Sequence, residues 1–157
     1  MQLTTVPSPV LSKKLHPLKA SDLKAGTYAP LVADMKEAMI KFDGIGLSAN
    51  QVGMDLALFV IDEKLAAEHG VPSVYANPEI TNRAREHDAK EEGCLSIPGY
   101  WAPVNRSKKI MFKALDGQGT KVKFRARGLL ARVLQHETDH LYGLTIQDRA
   151  KEAGSPK

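Results

Sequence analysis

The segment formed by residues 129–144 places the strongest constraint on the fold. Its apolar residues recur at helical spacing, at Leu129, Leu130, Val133, Leu134, Leu141 and Leu144. This periodicity predicts an amphipathic helix with one face in the core. The polar run His136-Glu137-Thr138-Asp139-His140 lies inside the same helix. We therefore expect the domain to be built around a helix that carries both core residues and chemically active ones.

Two histidines four positions apart, with a glutamate directly after the first, form an HExxH motif. On a helix, His136 and His140 project from one face about one turn apart, so both imidazoles can reach one metal ion. Glu137 then lies close enough to handle protons without binding the ion. This pattern is typical of metal-assisted hydrolysis. The alternative is an ordinary amphipathic helix whose histidines are satisfied by carbonyl groups, and a third ligand has to decide between the two.

The common zinc-protease patterns do not supply a third ligand. In a metzincin the next ligand position would fall on Ile146, which cannot bind metal. A thermolysin-like site needs a glutamate on a second helix well downstream. The only glutamate after His140 is Glu152, which lies in a polar stretch. The third ligand must therefore come from upstream of the helix.

Cys94 is the best upstream candidate. It is the only cysteine, so it has no partner for an intrachain disulfide. Gly93, Pro98 and Gly99 flank it and permit an irregular backbone that could turn the side chain inward. A thiolate with two imidazoles suits Zn²⁺ or Fe²⁺ and leaves a fourth position open for water. The alternative is that Cys94 is a small buried apolar residue.

Three stretches occur in an order that is similar to the signature motifs of the peptide deformylases. They are GIGLSANQ at residues 44–51, EGCLS at residues 92–96 and QHETDH at residues 135–140. The intervals between them are also typical of that family. The resemblance extends from the proline-containing start to about Arg149, which is nearly the whole chain.

This resemblance implies roles for the residues that match the motifs. Three of them match the metal ligands, namely Cys94, His136 and His140. Glu137 matches the general acid and base of the family. The Gln51 side-chain amide and the Leu95 backbone N–H match the groups that stabilise the developing oxyanion. Glu92 and Arg106 match a supporting ion pair behind the cysteine loop.

The resemblance also implies a substrate-binding cleft. Ile45 and Gly46 match an edge segment that pairs with the substrate peptide, and Gly93 matches a backbone contact opposite. Leu129 and Val133 lie on the His136 face of the helix and are reasonable walls for a methionine pocket. Ordinary core packing is an equally good explanation for these last two residues.

The implied activity is removal of the N-formyl group from the N-terminal methionine of nascent polypeptides, with release of formate. The nucleophile would be a metal-bound water, and the cofactor one divalent ion per chain. The family commonly uses Fe²⁺ in cells, and Zn²⁺, Ni²⁺ or Co²⁺ can occupy the site in a preparation. One alternative is a peptidase that cleaves internal amide bonds, which shares HExxH but not the other two motifs. Another is a metal-stabilised binding module without catalysis, which would not need Glu137.

Length and composition favour one catalytic domain. With 157 residues, 43% of them hydrophobic, the chain can bury one core. We predict a domain over residues 1–149, followed by a short polar tail at residues 150–157. No apolar run is long enough for a membrane span, and no secretory signal is evident at the start. A single cysteine fits a reducing compartment, so we expect a cytoplasmic protein.

The chain is mildly basic, with a formal net charge of +4. The lysines and arginines look scattered along the sequence, without interleaved aromatic residues. We therefore expect an ordinary solvated surface and no sequence-specific nucleic-acid binding. Family members with a long C-terminal helix use it to dock on the ribosome. The short tail here leaves at most a weak ribosome association.

The remaining patterns predict an α+β fold. A helix is expected over residues 28–42, and buried strands over residues 56–62 and 74–80. Two further strands at residues 109–115 and 121–126 flank the turn sequence Asp116-Gly117-Gln118-Gly119, which indicates a hairpin. The expected architecture is short, mostly antiparallel β-sheets packed around a central helix that carries HExxH.

Overall fold

The computed structural model describes the backbone of residues 1–154 and the side chains as far as residue 151. It confirms the α+β fold class, with helices packed on antiparallel sheets. The helices are α1 (Ala20–Lys24), α2 (Ala29–Lys41), α3 (Glu63–His69), α4 (Gly128–Leu141) and α5 (Ile146–Gly154). The strands are β1 (Gly46–Ser48), β2 (Leu58–Ile61), β3 (Val74–Arg83), β4 (His87–Cys94), β5 (Ile97–Ser107), β6 (Lys109–Asp116) and β7 (Lys121–Arg127).

The larger sheet has five strands in the order β1-β2-β3-β6-β7, and every neighbouring pair is antiparallel. The predicted β6–β7 hairpin is present. Its turn is held by Asp116, whose Oδ1 accepts hydrogen bonds from the Gln118 and Thr120 backbone N–H groups, each at 2.9 Å. The sheet buries one face under α2 and α4, and the helix expected over residues 28–42 is α2.

The core between the large sheet and the helices is apolar and aromatic. Phe59, Tyr75 and Phe112 are fully buried and lie in mutual ring contact, with centroids 5.1 to 6.3 Å apart. Leu130 and Leu134 of α4 belong to the same cluster. Burial of apolar surface stabilises the folded state by roughly 25 cal/mol per Å². The packing of these side chains therefore holds α4 against the sheet.

The second sheet is a long two-stranded hairpin of β4 and β5, which the sequence patterns did not predict. Its register pairs Gly93 with Trp101, and then shifts so that Cys94 pairs with Ile97. The sequence of β4, HDAKEEGC, contains charged residues on both faces and lacks the apolar alternation of a typical strand. One face of this hairpin nevertheless covers the HExxH helix, with contacts to both α4 and α5.

Three smaller details refine the predicted elements. The strand expected over residues 74–80 runs on to Arg83, and its pairing with β6 is irregular between Ala76 and Glu79, where Pro78 cannot donate a hydrogen bond. Helix α5 extends to Gly154 and so includes the first residues of the segment expected to be a polar tail. The rest of that segment, residues 155–157, lies outside the described residues. None of the helices within residues 1–154 is long and apolar enough to cross a membrane.

Candidate metal centre

Helix α4 presents the two HExxH histidines side by side. The Nε2 atoms of His136 and His140 are 3.1 Å apart, and their ring centroids are 4.8 Å apart. His140 is fully buried and His136 is partly buried. The predicted one-turn separation on one helix face is therefore present, and both imidazoles point toward the same space.

The end of β4 brings Cys94 to the same space. The shift in register after Gly93 turns the thiol toward α4. Cys94 Sγ lies 3.3 Å from His140 Nε2, and the three candidate ligand atoms all lie within 4.8 Å of one another. This contact joins residues 46 positions apart in the sequence. The structure thus assembles the predicted ligand set.

These three residues fit a divalent cation. Zinc bonds of about 2.0–2.1 Å to nitrogen and 2.3 Å to sulfur put the ligands of a tetrahedral site about 3.3–3.6 Å apart. Two of the three pairwise separations, at 3.1 and 3.3 Å, are close to these values, and the third pair, His136 with Cys94, lies within 4.8 Å. One thiolate and two imidazoles also suit Zn²⁺ and Fe²⁺ in donor chemistry. The group could therefore hold one metal ion.

Glu137 lies beside the candidate ligands and is almost completely buried. Its Oε1 is 4.0 Å from His136 Nε2, and its Oε2 accepts no hydrogen bond from the described part of the protein. Burial raises the pKa of this carboxyl to about 7, because the nearby cationic groups offset the loss of solvent only in part. A carboxyl with such a pKa can both accept and donate a proton near neutral pH.

The position of the Glu137 carboxylate leaves no room for a side chain at Gly46 of β1. A Cβ atom added to Gly46 would lie 2.6 Å from Glu137 Oε1, inside van der Waals contact. The backbone of the edge strand and the carboxylate therefore lie directly against each other. This contact explains why the first motif contains glycine where it meets the third.

Gln51 is held in a defined orientation by its own turn. Residues Ala49–Val52 form a 3₁₀ turn in which Gln51 Oε1 accepts a hydrogen bond from the Ser48 backbone N–H at 3.0 Å and lies 3.1 Å from the Ser48 hydroxyl oxygen. This arrangement directs the amide nitrogen outward, where it lies 3.5 Å from Cys94 Sγ and 3.2 Å from Ser96 Oγ. The side-chain amide nitrogen of Gln51 therefore lies beside the candidate ligand Cys94.

Asn50, to which the sequence assigned no role, joins the first motif to α4. Its Nδ2 donates to the backbone carbonyls of His140, at 2.8 Å, and Val10, at 3.2 Å. The Ser48 hydroxyl donates to Asn50 Oδ1 at 2.7 Å. The side chain is completely buried, so these bonds satisfy groups that have no access to water.

Glu92 fixes the orientation of His136. The Nδ1 atom of His136 lies 2.9 Å from Glu92 Oε1, which leaves Nε2 to face the other ligands. The expected ion pair with Arg106 is present and bidentate, at 2.8 and 2.9 Å. Although burial acts against ionisation, hydrogen bonds from His136 and Arg106 hold the pKa of Glu92 far below its usual range.

Arg132, one turn before His136, lines the cleft, but its guanidinium is turned inward, with only 11% of the side chain exposed. It donates to Glu92 Oε2 at 2.6 Å and to Asp88 Oδ1 at 2.9 Å. Arg132 is therefore a second cation on the carboxylate that orients His136.

A further buried carboxylate extends this network, and sequence reasoning did not find it. Asp139, inside the HExxH motif, accepts from Arg106 Nη1 at 2.7 Å and from Arg149 Nη2 at 2.7 Å. Although burial opposes ionisation, the bonds to Arg149 and Arg106 lower the pKa of the Asp139 carboxyl. A carboxylate inside a helix expected to be largely buried was the available signal, since a buried carboxylate needs a cation or hydrogen-bond donors.

The metal centre forms the floor of a cleft of about 680 Å³. All of the residues expected at the substrate line it, namely Ile45, Gly46, Gly93, Leu129 and Val133. Leu129 is 54% exposed, so core packing is not its role, whereas Val133 is buried and also contacts the core. The ring of Trp101 covers Gly93, where an added Cβ would lie 2.8 Å from the indole.

The sequence model of the polypeptide deformylase family matches residues 1–155. The chain belongs to the peptide deformylase family. The peptide deformylase of Dictyoglomus thermophilum is 43% identical over 96% of this chain and 93% of its own length. That of Rhizobium meliloti is 39% identical over 93% of this chain and 82% of its own length.

Solved peptide deformylase structures have the same fold. The crystal structure of the Thermotoga maritima peptide deformylase has a TM-score of 0.85 and 36% identity, and the match covers 99% of this chain and 97% of that one. A second match is the enzyme of the Vibrio parahaemolyticus bacteriophage VP16T in complex with actinonin. It has a TM-score of 0.81 and 32% identity over 92% of this chain and 99% of that one. This deformylase-family chain is therefore a hydrolase, and its family acts on formylmethionyl peptides.

Proposed function

We propose that this chain is a metal-dependent hydrolase that removes the N-formyl group from the N-terminal methionine of nascent polypeptides. The observation that supports this most directly is the meeting of three ligand atoms within 4.8 Å beside the buried carboxyl of Glu137. Membership of the peptide deformylase family supports the choice of N-terminal deformylation. Cys94, His136 and His140 are the proposed ligands.

The metal would supply the Lewis acidity that lowers the pKa of a water molecule from near 16 to roughly 7. Glu137 is the proposed general base and acid, which takes a proton during attack on the formyl carbon and delivers it to the departing amine. Its pKa of about 7 suits both steps. Because the carboxyl is buried against Gly46, bulk water does not compete for this proton.

Gln51 and Leu95 are the proposed donors to the oxyanion that attack creates. The Gln51 amide is preoriented by Ser48, so it loses little freedom when it binds the developing charge. Leu95 follows Cys94 directly and lines the same cleft, which supports a role for its backbone N–H. Removal of one such donor typically lowers the rate by about 10²–10³.

The substrate peptide is proposed to add to the edge of the large sheet. Strand β1 is the terminal strand of that sheet, so its outer edge can pair with an extended chain. Gly46 and Ile45 belong to this edge region, and Gly93 faces it from β4 across the cleft. Leu129 and Val133 then form the wall for the methionine side chain, whose flexible thioether suits an apolar slot.

Three further properties remain proposals. The metal in cells is proposed to be Fe²⁺, with Zn²⁺, Ni²⁺ or Co²⁺ able to occupy the same ligands after purification. A thiolate ligand needs a reducing compartment, which supports a cytoplasmic location. Any association with the ribosome through the C-terminal residues is proposed to be weak.

The test is formate release from matched peptides. A formyl-Met peptide should release formate, whereas acetylated and unmodified versions of the same peptide should remain intact. Cleavage of an internal bond would instead indicate a peptidase. Glu137→Gln should retain metal and fold while losing turnover by several orders of magnitude, on the scale of about 10³ or more. A variant as active as the unaltered protein would exclude Glu137 from the mechanism.

A further inference from the structure

The outer face of the β6–β7 hairpin is strongly cationic. The core-facing positions of both strands carry apolar side chains such as Phe112 and Ala126, which are buried. The intervening positions point away from the core, and six of them carry exposed cations. This basic face consists of Lys109, Lys113, Lys121, Lys123, Arg125 and Arg127. The alternation in the sequence KVKFRAR places all four β7 cations on one side.

Few carboxylates neutralise this surface. Within residues 1–151, only Lys113 of the basic face makes an ion pair, with Glu79 at 3.3 Å. The register also sets like charges directly opposite each other, since Lys109 pairs with Arg127 and Lys113 with Lys123. Like charges at directly opposed positions destabilise a sheet. Lysine is common on edge strands because it blocks strand addition, but that role does not require a second row of cations on β6.

We propose that the basic face binds the sugar–phosphate backbone of double-helical RNA, without base specificity. Four cations at every second residue of β7 extend over about 20 Å, and the β6 row runs alongside at about 4.8 Å. Such an array suits a regular polyanion rather than a single anion. Lysine and arginine contacts to phosphate supply affinity and positioning but carry no sequence information.

The side chains between the cations favour a duplex. Met111 and Leu115, both only partly exposed, are the apolar residues at outward positions of the hairpin. Single-stranded nucleic acid is usually bound by aromatic side chains that stack on bases, and the basic face contains none. Stable binding to a membrane surface usually combines cations with apolar side chains that insert between lipids, and the outward positions of the hairpin offer few of these. Two parallel rows of cations instead match recognition of RNA duplexes through backbone contacts.

The choice of RNA over DNA rests on the proposed function, because a substrate that is a nascent polypeptide is found next to RNA. The basic face is separate from the proposed active site, because none of its residues lines the cleft. Failure of RNA binding would therefore leave deformylation intact, and failure of deformylation would leave the binding measurement interpretable.

The experiment is fluorescence anisotropy of a labelled RNA duplex of about 20 base pairs, titrated with the full chain at several salt concentrations. We expect a Kd in the micromolar range near 50 mM salt, and a slope of log K against log salt near −3 to −4, as for about four phosphate contacts. The double variant Lys123→Glu with Arg125→Glu should weaken binding at least about tenfold. Its rate of formate release should be unchanged.

The matched control is Lys14→Glu with Lys64→Glu, which changes the net charge equally at exposed positions outside β6 and β7. It should bind RNA within about twofold of the unaltered protein. The milder pair Lys123→Gln with Arg125→Gln covers the case in which charge reversal perturbs folding, and it should also weaken binding. Equal losses in variant and control would overturn the proposal, since net charge alone would then explain them. Tighter binding to a DNA duplex of the same sequence, or binding only to anionic phospholipid vesicles, would also overturn it.

Discussion

Helix α4 is held on its two sides by opposite kinds of chemistry. Toward the large sheet, Leu130 and Leu134 pack into an apolar and aromatic core. Toward the β4–β5 hairpin, the neighbouring side chains are charged. Glu92, Arg106 and Asp139 are all buried there and bonded to one another. We refer to these two contacts as the apolar wall and the ionic wall.

The difference shows how position and orientation are controlled separately. Apolar packing is non-directional, so the apolar wall fixes where the helix lies but leaves side-chain rotation on the other face undefined. Hydrogen-bonded ion pairs are directional, and Glu92 Oε1 fixes which nitrogen of His136 faces the site. Buried charges add little net stability compared with apolar residues of the same size. The ionic wall is therefore best explained by the geometry that the candidate metal ligands require.

The largest loss of stability and metal affinity is expected from Arg106→Met, which removes the central cation of the ionic wall. Glu92 and Asp139 would each lose a buried cation, and breaking such a pair costs about 3–5 kcal/mol of unfolding free energy. Metal affinity should fall about 10–100-fold, because the histidine is no longer held in place. Urea denaturation and competition with a chelator measure both quantities. A variant with unchanged metal affinity would show that the ionic wall does not control the ligands.

Leu134→Ala should break the apolar wall alone. Leu134 is fully buried, so the cavity left behind should cost about 3 kcal/mol of unfolding free energy. The ion pairs remain, so the folded variant should bind metal as tightly as the unaltered protein. The same two measurements serve as the control for Arg106→Met. A parallel loss of metal affinity in this variant would remove the distinction between the walls.

Arg132→Met should weaken the same ionic wall, but with a smaller loss of stability and metal affinity than Arg106→Met. It removes one donor from Glu92, together with the bonds to Asp88 and to the Val104 carbonyl, but leaves the bidentate contact of Arg106 intact. A hydrogen bond to a charged group contributes about 1.5–3 kcal/mol. We expect a loss of unfolding free energy within that range, with metal affinity reduced only a few-fold. A loss as large as that of Arg106→Met would mean that the two arginines act as one unit.

The smallest expected effect is a change in how stability depends on pH, and it concerns the Asp139 carboxyl. Its pKa in the folded protein is lowered, so its ion pairs add stability above its unfolded pKa of about 3.9 and lose it as the pH falls through the folded value. The advantage of the unaltered protein over Asp139→Asn should therefore be largest near pH 7 and shrink below about pH 4. Urea unfolding at several pH values measures it. A constant difference in unfolding free energy across that pH range would show that the pKa of Asp139 does not change on folding.

The parts of the molecule that sequence patterns predicted are those with strong periodicity or motif spacing. Apolar periodicity located α2 and α4, and turn chemistry located the β6–β7 hairpin. The ligand set followed from HExxH, from the lack of a downstream ligand and from the resemblance. The cleft residues and the Glu92–Arg106 pair came from the resemblance alone.

Other features could not be predicted because tertiary contacts decide them. The charged sequence of β4 resembles a loop until its partners on α4 are known. Arg132 pairs with Glu92, and Asp139 pairs with Arg106, and both partners are distant in the sequence. The cations of the basic face look scattered in the sequence, since only strand alternation and register bring them onto one surface.

Metal content and formate release, measured together on the unaltered protein and on Cys94→Ala, test the central claim most directly. We expect about one divalent ion per chain in the unaltered protein and rapid release of formate from a formyl-Met peptide. The variant should keep its circular dichroism spectrum but lose both the ion and the activity. A Cys94→Ala protein that retains its metal and releases formate at the unaltered rate would contradict the proposed site.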